Sequence, residues 1–186
     1  MSTMLIRLKR IPHMITVPLV VNSNITDVEF LGFKIGSVEE GAKVEAPLSL
    51  ALLMVKNGIA SLDESSLPTL SEINRIAWLE MKSGELQRID KDFYIKSSLL
   101  VWSLLGRVDD FESERKMRLV KALLMDIIKC RLQKIVKLAL SNPIPSRDII
   151  DNLTSEEEAL YLTICDVIGS WLKYMKELME GRIHEQ

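Results

Sequence analysis

The stretch from Arg115 to Leu140 runs 26 residues without glycine or proline and is rich in Leu, Ala, Lys, Met and Arg, so length and propensity both predict one long helix. At 100° per residue, Met117, Val120, Leu123, Leu124, Ile127, Ile128, Ile135, Leu138 and Ala139 share an arc near half the circumference, wider than one neighbouring helix covers. Several elements must pack there, either helices of the same chain or helices of another, and the pattern leaves both open. The polar arc carries Arg115, Lys116, Arg118, Lys129, Lys134 and Lys137, with Asp126 as its one acid. Arg131 projects from the middle of the apolar arc, where a guanidinium is tolerated only if a carboxylate or several carbonyls meet it. It is therefore expected to be a buried, paired structural charge.

The charge distribution frames this helix. Residues 115–140 carry +7, the segments 63–114 and 141–186 carry −5 each, and residues 1–62 carry +1. Such a helix either tracks nucleic-acid phosphates or meets acidic partners within or between chains. No further nucleic-acid signature accompanies it, which favours the charge match. In the alternative, a nucleic-acid-binding module built on the basic helix 115–137, the phosphate contacts would be Lys129, Lys134 and Lys137. At 186 residues and 47% hydrophobic content the chain is long and apolar enough for one large or two small packed domains. Its apolar runs are shorter than the roughly 18 residues of a membrane span, and no signal peptide is visible, so an intracellular protein is expected. Cys130 and Cys165 sit in helical patterns without C-x-x-C spacing and are expected to be buried reduced thiols.

Read in order, the chain predicts an α+β protein: a small N-terminal β-rich domain (1–62) with one short helix, a linker (63–68), and an all-α helical domain (69–186) of about five helices. Met4–Lys9 and Ile15–Val21 are strand candidates that Pro12 and Pro18 confine to edges or bends. Val28–Ile35 is a β stretch broken by Gly32, and Lys43–Glu45 a last short strand. Pro47 opens a helix over Leu48–Asn57 that Gly58 can end in a left-handed conformation, and Ile59–Leu62 returns to the sheet. Thr69 and Glu72 form a capping-box pattern for a helix to about Lys82, with Ile73, Ile76, Ala77 and Leu79/Glu80 marking its faces. Asp90 is placed to cap a helix ending before Gly106, and Asp109 or Asp110 to cap the long one. Asn142–Pro145 ends the long helix. Thr154 with Glu157 opens a final helix to about Met179, striped with Leu160, Tyr161, Ile164, Ile168, Trp171, Leu172, Met175, Leu178 and Met179.

Catalytic chemistry finds no footing. His13 and His184 lack companions at metal-ligand spacing, and no G-x-S-x-G or phosphate-loop pattern occurs. The acids at Asp109–Asp110 and Glu156–Glu158 sit at helix starts, where the helix dipole favours them. Phe93, Tyr94, Trp102, Trp171 and Tyr174 have the spacing of core or subunit packing rather than base stacking. Neither an enzyme nor a cofactor is expected.

The segment Gly41-Ala-Lys-Val-Glu-Ala-Pro-Leu-Ser-Leu-Ala-Leu-Leu-Met-Val-Lys56, followed by Ile59–Leu62, resembles the G-x-x-V-x-x-P-L-x-L-A segment of GINS subunits in which the small β domain comes first. Asp90-Lys-Asp-Phe-Tyr94, Arg131-Leu-Gln-Lys-Ile135 and Asp151-Asn-Leu-Thr154 resemble that family's later landmarks, so the resemblance spans nearly the whole chain. Ser49 departs from it, standing where relatives often carry a large aromatic. The β-then-α order is that of the second/third-subunit type, and the compact length resembles archaeal members. The resemblance implies a non-catalytic scaffold in chromosomal DNA replication, cytoplasmic and nucleoid-associated, or nuclear in a eukaryote. It also implies a hetero-tetramer with a sister GINS subunit, joined through the helical domains. That assembly would bridge the MCM replicative helicase with a RecJ-like or Cdc-type protein, couple to primase or polymerase, and touch DNA at most indirectly. On this reading Trp171, Tyr174, Met175 and Leu178 are expected to bury against a neighbouring subunit.

Overall fold

The computed structural model describes residues 15–30, 32–106 and 111–182. The strand expected over Met4–Lys9, both histidines and the Asp109/Asp110 cap lie outside the described residues. Among the described residues, an N-terminal antiparallel sheet with a short helix precedes a helical region of five helices. The chain gathers into two compact units: one contains 15–69 and 94–118, the other 70–93 and 119–182.

In the first unit, strand β1 (Thr16–Val21) lies between β4 (Lys43–Pro47) and β5 (Ala60–Leu62), antiparallel to both. Val17, Leu19 and Val21 alternate into the core, as a period-two pattern dictates. β1 is thus the central strand, although Pro18 predicts an edge or a bend. The reason is local. The Pro18 carbonyl accepts the Asp63 N–H at 3.1 Å just beyond the last residue of β5. The missing proline N–H therefore faces the side where the partner chain is already leaving the sheet, and no ladder bond is lost. A separate hairpin pairs β2 (Val28–Phe30) with β3 (Phe33–Ile35), with Gly32 at φ +82° in its two-residue connection.

Helix α1 (Leu48–Lys56) follows directly on Pro47 and buries Leu50, Ala51 and Met54. It closes in a Schellman motif: Gly58, at φ +71°, donates to the Val55 carbonyl, and Ile59 donates to that of Met54. A 3₁₀ turn over Glu64–Ser66 is capped by Asp63, which accepts from the Ser65 N–H and hydroxyl and from Lys43 Nζ at 2.6 Å. Helix α3 (Phe93–Leu105) begins three residues after Asp90, whose carbonyl accepts the Phe93 N–H.

In the second unit, α2 (Leu70–Lys82) buries Ile73, Ala77 and Glu80, one face at spacings of four and three. The long helix α4 (Phe111–Ser141) starts four residues before Arg115. Within this unit its fully covered positions are Val120, Ile127, Arg131, Ile135 and Ala139, while Ile128 stays exposed. Pro143 and Pro145 follow the end of α4, and a four-residue helix α5 (Arg147–Ile150) precedes α6 (Ser155–Met179). The capping box at the start of α6 is complete: Thr154 Oγ1 accepts the Glu157 N–H at 3.3 Å, and Glu157 Oε2 accepts the Thr154 N–H at 3.0 Å.

Candidate functional site

Arg131 lies on the covered face of α4 with none of its side chain exposed. Its guanidinium has five N–H donors, and acceptors from four chain segments meet them. Nε and Nη2 fork the two Glu157 oxygens, each at 2.7 Å. Nη2 also reaches the Asn152 carbonyl at 2.9 Å, and Nη1 donates to Glu80 and to the Gln87 carbonyl at 2.7 Å. Glu80 in turn accepts the Gln87 N–H at 3.1 Å and pairs with Lys134. Two cations and two carboxylates therefore balance in a site where an uncompensated charge would be prohibitive.

This geometry separates the three lysines considered for phosphate contact. Lys134 is mostly covered, and its ammonium donates to the Glu80 carboxylate and to the Glu80 and Glu85 carbonyls, the latter two at 2.8 Å. All three of its donors are directed into the protein. Lys129 and Lys137 are exposed on the outer arc of α4. Among the described residues no three His, Cys, Asp or Glu side chains are grouped to hold a metal ion, and no helix is long and apolar enough to cross a membrane. Burial pushes the Cys165 thiol and the Tyr161 hydroxyl upward. It also raises Glu156, whose carboxyl is desolvated and stands beside Glu157 and Asp92.

Helices α4 and α6 meet at an ion pair and in a shared core cluster. Arg131 pairs with Glu157 near the start of α6, and further along Ile135 and Ala139 share a core cluster with Tyr161 and Cys165. Ile168 is the last side chain of α6 packed against the cluster. The remaining eleven residues, 169–179, make about 16 Å of helix at 1.5 Å per residue. No described residue after Cys165 is buried. Trp171 is 58% exposed, Tyr174 56% and Met179 79%; Leu172 and Leu178 are exposed and Met175 is half-covered. An apolar overhang of this kind is what a chain presents where another chain packs.

The model of the GINS complex protein helical bundle domain, Sld5, matches residues 66–178. The chain belongs to the GINS family. The match takes in α2 to α6, the charge cluster and nearly all of the overhang. A GINS subunit has its role in DNA replication, and subunits of this family are generally non-catalytic. No curated protein matches the chain. Of the interior of this GINS bundle, sequence reasoning singles out Arg131 and the Thr154/Glu157 capping box, but not that Glu157 and Glu80 are the carboxylates that meet the arginine. Glu80 was placed on a helix face, and its signal was its spacing from the buried Ile73 and Ala77.

Proposed function

We propose that this GINS subunit is a non-catalytic scaffold of the second/third-subunit type, joining a sister GINS subunit in a hetero-tetramer that bridges the MCM replicative helicase with a RecJ-like or Cdc-type protein. Its helical part, from residue 69 onward, carries assembly, and the small β-rich part, residues 1–62, is left for docking. The observation that carries this reading is the overhang of α6. Trp171, Tyr174, Met175 and Leu178 fall within one broad apolar arc past Ile168, and fully burying such side chains from water is worth about 1.5–3 kcal/mol each. An isolated chain gains only part of that, since Trp171 and Tyr174 stay more than half exposed.

The test is purification of the tagged chain from its native cells after nuclease treatment, with mass spectrometry and light scattering of what is recovered. A sister GINS subunit with MCM, at a mass near a tetramer plus partners, is the expected result. The double substitution Trp171→Ser/Met175→Ser is expected to dissociate the complex. An unchanged assembled mass would remove these residues from the interface, and partners that vanish with nuclease would sink the scaffold reading in favour of the basic helix as a DNA-binding surface.

A further inference from the structure

The covered and the uncovered parts of α6 lie on one face. Taking Glu157 as the origin and 100° per residue, Tyr161, Ile164, Cys165 and Ile168 fall within about 80° of it, and all are buried or pack against the buried cluster. Continuing past Ile168, Trp171, Leu172, Met175, Leu178 and Met179 fall within about 60° of the same direction. The seam that packs inside the subunit thus runs straight into the seam that is left open, and one rotation about the helix axis governs both.

What sets that rotation is specific. An apolar seam of Tyr161, Cys165 and Ile168 tolerates some rolling, because dispersion contacts are non-directional. The fork between Arg131 and Glu157 does not, since two parallel N–H···O bonds at 2.7 Å hold a planar guanidinium against a planar carboxylate. Arg131 is itself held by Glu80 and by the Gln87 and Asn152 carbonyls. Glu157 is held by the capping box. Neither end of the fork can turn alone.

We infer that the Arg131–Glu157 fork is a positioning device for assembly: it fixes the rotational phase of α6 and so decides which side chains of the overhang meet the sister subunit. This rests on the proposed interface, and buried ion pairs are best attested in such a registry role. Rolled by one residue, or 100°, the overhang would present Lys173 and Lys176 where Leu172 and Met175 belong.

The experiment titrates the sister GINS subunit, recovered as above, into three variants and the parent, with far-UV circular dichroism and a thermal midpoint for each. Arg131→Met/Glu157→Gln removes both charges of the fork while leaving Glu80 paired with Lys134 and a glutamine able to complete the capping box. Arg131→Lys keeps a cation beside both carboxylates but cannot fork. Trp171→Ser/Met175→Ser tests the interface itself. The expected result is loss of binding in the last, and an affinity reduced about tenfold or more in the other two at parental helix content. Parental affinity in both fork variants, with binding lost on Trp171→Ser/Met175→Ser, overturns the positioning role and leaves the interface standing. Parental affinity in Trp171→Ser/Met175→Ser overturns the interface and the inference with it. Failure of both fork variants to fold assigns the cluster to stability and likewise overturns the positioning role.

Discussion

Replacing Arg131 by methionine preserves most of the side-chain volume and removes five donors from a site with no water access. Glu157 loses both bonds of the fork while keeping the Thr154 N–H, and Glu80 keeps Lys134 and the Gln87 N–H. The Gln87 and Asn152 carbonyls each lose a donor. Removing one partner of a buried ion pair costs about 3–5 kcal/mol, because the other charge is stranded rather than because the pair itself is worth that much. At about 2–4 °C per kcal/mol for a chain of this size, the thermal midpoint should fall by roughly 10 °C. Urea unfolding followed at 222 nm should show a lower midpoint at an unchanged slope. The double substitution Arg131→Met/Glu157→Gln should recover part of the loss, giving a coupling of about 1–3 kcal/mol in a double-mutant cycle. A loss below about 1 kcal/mol for Arg131→Met would refute the reasoning, since a buried carboxylate would then be tolerating isolation.

Glu156→Gln should stabilise the protein at neutral pH. The folded chain holds this carboxyl above its usual range by burial, so ionising it costs stability as pH rises from the ordinary glutamate value through the raised one. The gain should vanish below about pH 4, where parent and variant are both neutral, and thermal midpoints across pH 4–8 would show it; a gain that persists at pH 4 would reject the cause. Asp63 has the opposite sign. The Lys43 bond, then the Ser65 hydroxyl, holds it below the usual aspartate range, so its contribution is present above about pH 4 and lost as pH falls through the lowered value. Asp63→Asn should therefore lower the midpoint at pH 7 and match the parent near pH 2. Lys129→Glu/Lys137→Glu, which reverses two exposed charges of α4, should leave DNA affinity at physiological salt unchanged; a steep loss, with a flatter salt slope than the parent's, would return the basic helix to consideration as a phosphate-binding surface.

The parts legible in the sequence are those specified by neighbouring residues. The Thr154/Glu157 box, the left-handed Gly58 and the stop at Asn142–Pro145 each depend on a few consecutive positions, and each stands where the local chemistry put it. Arg131 was legible as a demand, because a cation in an apolar arc must be answered, but the answer was not. Glu80 lies 51 residues away and Glu157 26, and helical spacing cannot distinguish a buried acid from a solvated one. Pro18 misled for a related reason: whether a proline costs a ladder bond depends on where the neighbouring strand ends, which β1 itself does not encode. The overhang follows from two local stop signals that acquire meaning only together. Prolines terminate α4 at Ser141, while α6 runs without interruption to Met179. Each stop is readable alone, but which side chains of α6 stay uncovered depends on where it packs, and the pairing of Arg131 with Glu157 is part of that packing. That pairing joins residues 26 apart in sequence, so neither stop signal by itself reveals how much of α6 its own chain covers.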